Sequence, residues 1–338
     1  MWRDALKSLW RLSRGAVFVG RFGGPLMLSF HRVVSGAGER HLFLDRRIGA
    51  VSPAFLRDVL ELLSRSGYQF VSLGDWATRR AEQKRIAAIT FDDGFRDVLD
   101  LAAPILRSHR CPGTAFLITA TLGATELLWQ HRIYIAWDRM TEGARTRLLF
   151  SFLDRTALGP TTDSRLLLSE LLRIGMVEQL EEFSRALGRS TGLTPREERR
   201  LASQLYLKLP DVRHLQDAGV AVGGHGHKHL RASAQHPEDL LLDLKRCWNV
   251  LSSLSVESWM DFGIPHGDLG NNIADRARDV GFRHVLDSRG VATESTPDLA
   301  HRVWLWDDLN DAHAILTMLW GRQLITSVRA VARTRLRI

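Results

Sequence analysis

In Ile86-Ala87-Ala88-Ile89-Thr90-Phe91-Asp92-Asp93-Gly94, a six-residue, largely apolar run is followed by two carboxylates and a glycine. Charge bounds the run, with Arg85 before it and Asp92 after it. A short apolar run of this length, bounded in this way, predicts a buried strand with the carboxylates at its C-terminal end. Working outward, Leu26 to Phe30 predicts a second strand, opening into a polar loop at His31 and Arg32. Residues 52–67 predict a helix. Ser52 is placed to cap it, Pro53 suits its first position, Phe55, Val59, Leu62 and Leu63 make its apolar stripe, and Gly67 closes it. Phe70 to Leu73 reads as a short strand.

Downstream the alternation continues. Helices are expected over 97–109, 211–218, 237–254 and 271–280, and strands over 114–118, 220–223, 259–264 and 284–287. Strands alternating with helices predict a mostly parallel α/β sheet or barrel. Polar residues gather just after the strands, the end of a (β/α) barrel that carries chemistry. Residues 135–210 depart from the alternation. They are rich in Leu, Arg and Glu with helical periodicity, and read as a helical insertion. The expected organisation is a basic amphipathic segment over 1–20, a barrel over 24–310, and a basic helical tail over 311–338.

The chain has 338 residues, 45% hydrophobic and 25% charged, enough for one large α/β domain. Its net charge of +8 favours anionic partners. No basic tract interleaved with aromatics is present, so glycans and lipid headgroups rank ahead of nucleic acid, which is not expected as a partner. Cys111 and Cys247 form no CxxC pair, which excludes a zinc knuckle or redox motif. Two reduced thiols are expected, with a single disulfide as the alternative. No apolar stretch approaches the ~20 residues that span a bilayer. The expected location is the cytoplasm. Trp2, Leu6, Leu9 and Trp10 share one helical face, and Arg3, Lys7, Arg11 and Arg14 lie largely off it. That segment could pack on its own domain or rest on the inner face of an anionic membrane.

Three segments carry candidate chemistry. In Asp92-Asp93-Gly94, paired buried carboxylates repel unless a cation relieves them. One can ligate a metal while the other takes a proton from water. A helix-capping turn is the plainer alternative. In Gly223-Gly224-His225-Gly226-His227-Lys228-His229, His225 and His229 are four apart. On a helical turn that spacing brings both rings to one ion and directs His227 away. A surface histidine-rich loop is the alternative. Asp93, His225 and His229 together would leave coordination positions open for water and substrate, and would suit zinc or another divalent transition ion. In Asp261 to Asp268, Pro265 and Gly267 shape a loop that could aim a backbone N–H at an oxyanion.

From Leu26 to Arg302 these segments, in this order, resemble the polysaccharide deacetylase family, also called NodB-homology or carbohydrate esterase family 4. Its T-F-D-D-G motif is matched at Thr90 to Gly94, and its H-S/T-x-x-H motif at His225 to His229 with Gly226 in place of the hydroxyl residue. Leu28 to Val33, Pro112 to Phe116 and Ile264 to Gly267 match further segments of the family. The resemblance implies a distorted (β/α) barrel carrying the helical insertion. It implies a hydrolase that removes N-acetyl groups from an amino-sugar polysaccharide or a lipid-linked sugar. It also implies Asp92 as base, and Asp93, His225 and His229 as ligands of a divalent metal such as zinc.

Two departures stand out. Gly263 lies near the place where many members carry an Arg that steadies the base. The general acid, a His that many members carry in a late Leu-x-His motif, is left unassigned. His301, Arg302, Trp306-Asp307-Asp308 and His313 are the late polar residues, and His266 is the further candidate for the catalytic set. An O-acetyl esterase using the same site, and a non-catalytic barrel that binds glycan or metal, are the alternative functions.

Overall fold

The computed structural model describes residues 24–36, 42–83, 85–153, 162–254, 260–287 and 300–305. The expected N-terminal amphipathic segment, the C-terminal tail, Trp306 to Asp308 and His313 lie outside the described residues.

In chain order, β1 (Leu26–Phe30) is followed by α1 (Leu42–Ile48), α2 (Pro53–Arg65), β2 (Gln69–Phe70), α3 (Leu73–Arg79) and β3 (Ile86–Phe91). A π-helical turn, Val98–Ala102, then runs into α4 (Ala103–Ser108), and β4 (Gly113–Leu117) follows. Five helices come next: α5 (Trp129–Trp137), α6 (Glu142–Phe150), α7 (Ser164–Ile174), α8 (Val177–Ser190) and α9 (Pro195–Leu205). The alternation resumes with α10 (Leu209–Asp217), β5 (Val220–Gly224), α11 (Pro237–Ser253), β6 (Asp261–Gly263), α12 (Ile273–Val280) and β7 (His284–Asp287). Two short strands complete the described chain, β8 (Ala300–His301) and β9 (Val303–Trp304).

The expected cap of α2 forms, with Ser52 Oγ accepting from Phe55 N at 3.1 Å. Leu73 begins a helix instead of ending a strand, because Ser72 Oγ accepts from Asp75 N at 3.1 Å and starts α3 there. Helix α1, absent from the sequence expectations, is anchored by the buried Arg32. That guanidinium meets Asp45 and Asp97 at 2.8 Å each and fixes the loop that carries His31.

All pairings within the sheet are parallel, in the order β8-β7-β6-β5-β4-β3-β1-β9, with β2 beside β3. The two ends of this order are neighbours in sequence, separated only by Arg302. Residues 300–301 pair with β7, and residues 303–304 pair with β1. One short segment thus holds both edges of the sheet and closes a distorted barrel, which removes the exposed edges an open sheet would leave. Both faces of the central strands are covered, and every residue of β1, β3 and β4 is buried.

A second apolar cluster joins α5 to the helices that follow it, built on Phe95, Trp129, Ile133, Trp137, Phe183 and Leu201 among others. All nine residues of α5 are buried, so the insertion packs around it. Cys111 and Cys247 are both free and buried. Among the described residues no helix is long and apolar enough to cross a membrane.

Candidate active site

The site lies at the C-terminal ends of β3, β5 and β6, with the closing segment beside it. Asp92 follows β3 directly, and its N–H still donates to Phe30 O at 2.8 Å, so sheet bonding fixes its backbone. Asp93 then turns at φ 73° and Gly94 at φ 71°. Consecutive left-handed residues swing the two carboxylates to different positions. The second falls on a glycine, where a Cβ would come within 3.0 Å of the Leu117 side chain.

Asp92 is 2% exposed. Its Oδ1 accepts from Arg302 Nη1 at 2.5 Å, and its Oδ2 from Ser29 Oγ at 3.3 Å. Burial opposes its charge, but Arg302, His225 and His31 outweigh burial and hold the carboxyl down to about 2. Arg302 is fully buried, over the Phe116 ring at 4.9 Å. A Cβ added to Gly263 would meet Arg302 Nη2 at 3.1 Å and His225 Nδ1 at 3.3 Å. The small residue at 263 therefore leaves room for a guanidinium delivered from the closing segment.

Asp93 behaves oppositely. Burial first, and the charge of Asp92 second, push its carboxyl well above the usual range. Its Oδ1 is buried with no hydrogen-bond partner. It faces His225 Nε2 and His229 Nε2 at 3.6 Å each. One ligand atom from each of the three residues lies within 4.8 Å of the others. An orphaned carboxylate oxygen between two imidazole nitrogens lacks a positive charge, and a divalent cation fits that set.

Both imidazoles present Nε2 to this point because Nδ1 is engaged elsewhere. His225 Nδ1 donates to Gly263 O at 2.6 Å, and His229 Nδ1 donates to Gln130 Oε1 at 2.7 Å. Burial lowers both rings, His229 well below its ordinary value, so each is a neutral ligand. The two rings converge as expected, with centroids 4.8 Å apart, but not through a helical turn. The loop reaches this geometry with Gly226 at φ 76° and His229 at φ 57°. His227 turns away to Thr119 Oγ1 at 2.9 Å. Asp243 braces this loop, accepting from His227 N and Lys228 N at 2.8 Å each.

Two further imidazoles border the site. His266, at φ 58°, packs on His229 with centroids 4.3 Å apart, and its Nε2 lies 3.3 Å from His229 O. His31 lies near enough to Asp92 for each to shift the other's ionisation, and its buried Nδ1 has no partner. Burial pushes His31 down to about 4. Arg302 and His31 are two residues whose placement sequence reasoning missed. The first was noted only as a late polar residue, the second only as part of a motif.

The family model for polysaccharide deacetylase matches residues 79–148 and 199–285, two segments that hold Asp92, Asp93, His225 and His229 and flank most of the helical insertion. No curated protein matches the chain. Among solved structures, the chain is similar to the Streptococcus pyogenes deacetylase PplD in complex with acetate, at 14% identity and a TM-score of 0.55, covering 87% of this chain and 97% of that one. It is also similar to IcaB from Ammonifex degensii, at 16% identity and a TM-score of 0.54, covering 87% and 97%. A de-N-acetylase from Aggregatibacter actinomycetemcomitans aligns at 13% identity and a TM-score of 0.51, covering 83% and 95%. At these identities the structures establish the barrel fold, and the family match makes the chain a hydrolase of the deacetylase type.

Proposed function

We propose that this chain, of the polysaccharide deacetylase family, uses a divalent metal to hydrolyse N-acetyl groups on an amino-sugar glycan or lipid-linked sugar. One observation carries the reading. A carboxylate held ionised by Arg302 stands directly beside a second carboxylate and two neutral imidazoles arranged around an uncompensated point. A site that only binds metal needs Asp93, His225 and His229, and has no use for Asp92.

Asp93, His225 and His229 would hold the cation, with zinc the best match to one carboxylate and two imidazoles. When bound, it would act as a Lewis acid toward the acetyl carbonyl and lower the pKa of water. Asp92 accepts the proton that water loses as it attacks that carbonyl. Ser29 and Arg302 hold Asp92 in the acceptor state. The loop at His266 borders the developing oxyanion, where a backbone N–H can donate.

The nitrogen must gain a proton as its bond to carbon breaks, giving acetate and a free amine. His31 is the first candidate for that transfer, since its unpartnered Nδ1 can take up a proton near Asp92 and pass it on. His266 is the second, by its packing on His229. The chain's net charge of +8 favours an anionic glycan.

The test is acetate release from N-acetylated and O-acetylated glycans by the wild type and Asp92→Asn. Release from the N-acetylated glycan that is abolished in the variant supports the proposal. Release only from O-acetyl esters makes the protein an esterase, and equal release by the variant removes Asp92 as base.

A further inference from the structure

Resting on the metal reading above, we infer that helix α5 is a working part of the metal centre, with its Gln130 positioning the ligand His229. His225 and His229 are oriented in different ways. The acceptor for His225 is Gly263 O, a backbone carbonyl of β6 in the barrel itself. The acceptor for His229 is Gln130 Oε1, a side chain of α5, at 2.7 Å.

The amide of Gln130 is itself aimed. Its Nε2 donates to Tyr134 Oη, one helical turn on, at 3.1 Å, which leaves Oε1 for the imidazole. Gln130 is buried, so water does not compete for this bond. An amide oxygen only accepts, so the proton of neutral His229 is held on Nδ1 and Nε2 is left bare toward Asp93.

The same helix grips the histidine loop a second time. Trp129 Nε1 donates to Lys228 O at 3.0 Å, while Lys228 Nζ reaches Glu181 of α8 at 2.6 Å. Three consecutive functions follow from one helix start: Trp129 fixes the backbone before His229, Gln130 fixes its ring, and His131 Nδ1 meets Tyr206 Oη at 2.8 Å to seat the helix. His229 stays at φ 57°, a costly backbone for a residue with a Cβ, and these contacts hold it there.

The experiment measures zinc affinity of the full chain by competition with a chelator, with melting temperature of the metal-free protein alongside. Gln130→Met keeps the volume and removes the acceptor, and is expected to bind zinc about 10–100-fold more weakly. Gln130→Glu restores an acceptor and is expected to bind at least as tightly as wild type. Zinc affinity of Gln130→Met within twofold of wild type, or of Gln130→Glu as weak as Gln130→Met, overturns the inference. If Gln130→Met does not fold, Tyr134→Phe carries the test. It frees the amide to flip, so severalfold weaker binding supports the role and unchanged binding overturns it. A wild-type chain that takes up no divalent ion overturns the metal reading itself, a result distinct from any of these.

Discussion

Arg302 Nη1 donates to Asp92 Oδ1 across 210 positions of sequence, at 2.5 Å, from the two-sided segment that closes the barrel. The guanidinium offsets the cost of burying the carboxylate and keeps it ionised. A group whose pKa is depressed on folding adds stability above its unfolded value, and that stability is lost as pH falls through its folded value, here about 2. The wild-type base is therefore ionised throughout pH 5–9. In Arg302→Met, burial acts unopposed by this partner and the pKa of Asp92 rises. The expected outcome is a fall in kcat/KM of about 100-fold or more at neutral pH, with the acid limb moved upward, so that part of the loss recovers as pH is raised. A pH profile of kcat/KM checks it, and a uniform loss with an unmoved limb would count against charge retention as the role of Arg302.

Elemental analysis of purified protein separates the ligands from the histidine between them. His225→Ala removes one of three converging atoms, Asp93→Asn removes the negative charge of another, and each is expected to lose most bound metal. His227 is bonded to Thr119, away from that point, so His227→Ala is expected to keep metal within about twofold of wild type. Asp92→Asn is expected to keep metal and to lose about 100–10,000-fold in rate. Metal lost equally from His227→Ala would mean that the loop binds through a different set.

Much of the barrel and the metal set was legible because both are written in local signals. The runs at Leu26–Phe30 and Ile86–Phe91 are apolar on both faces, and a strand buried on both sides must be. Asp92-Asp93 and His225-x-x-x-His229 each put chemistry just after a strand. The helix at Leu73 was also written locally, in the cap formed by Ser72 and Asp75, but the neighbouring apolar residues favoured a longer strand. Arg302 was not legible as the partner of Asp92. The strands around it are two residues each and are defined by what they pair with, not by their own pattern. The contact exists because β7 and β1 meet on that segment. Gln130 was hidden for a related reason, since one polar residue at the start of a buried helix says nothing about which ring it faces.

The two bordering imidazoles can be told apart by leaving group. An amine must be protonated as it departs, whereas the alcohol of an ester needs far less help. His31→Gln is expected to lower kcat on an N-acetylated glycan by about 100-fold and to lower it much less on an O-acetylated one. His266→Gln, whose ring packs on His229 and lies 3.3 Å from its carbonyl, is expected to affect both substrates alike. Paired kcat measurements on the two substrates decide the matter. The reverse pattern would transfer the proton-donating role to His266.

Position 226 offers a test in which the family's own residue should do harm. Gly226 stands where the motif that this loop resembles has Ser or Thr, so Gly226→Ser looks like a repair. The backbone here is at φ 76°, and a Cβ would sit 3.0 Å from Asp243 Oδ2. That oxygen is the acceptor for His227 N, so pushing it aside also strains the brace of the loop. A non-glycine residue held in this region costs about 1–3 kcal/mol. In a chain of this size that corresponds to a fall of roughly 1–4 °C in melting temperature. Because the same carboxylate holds the peptide units between His225 and His229, zinc affinity is expected to fall together with stability. Calorimetry with and without zinc checks both. A serine variant as stable as wild type, with undiminished affinity, would show that the loop can adopt the family's backbone and that Asp243 is dispensable to it.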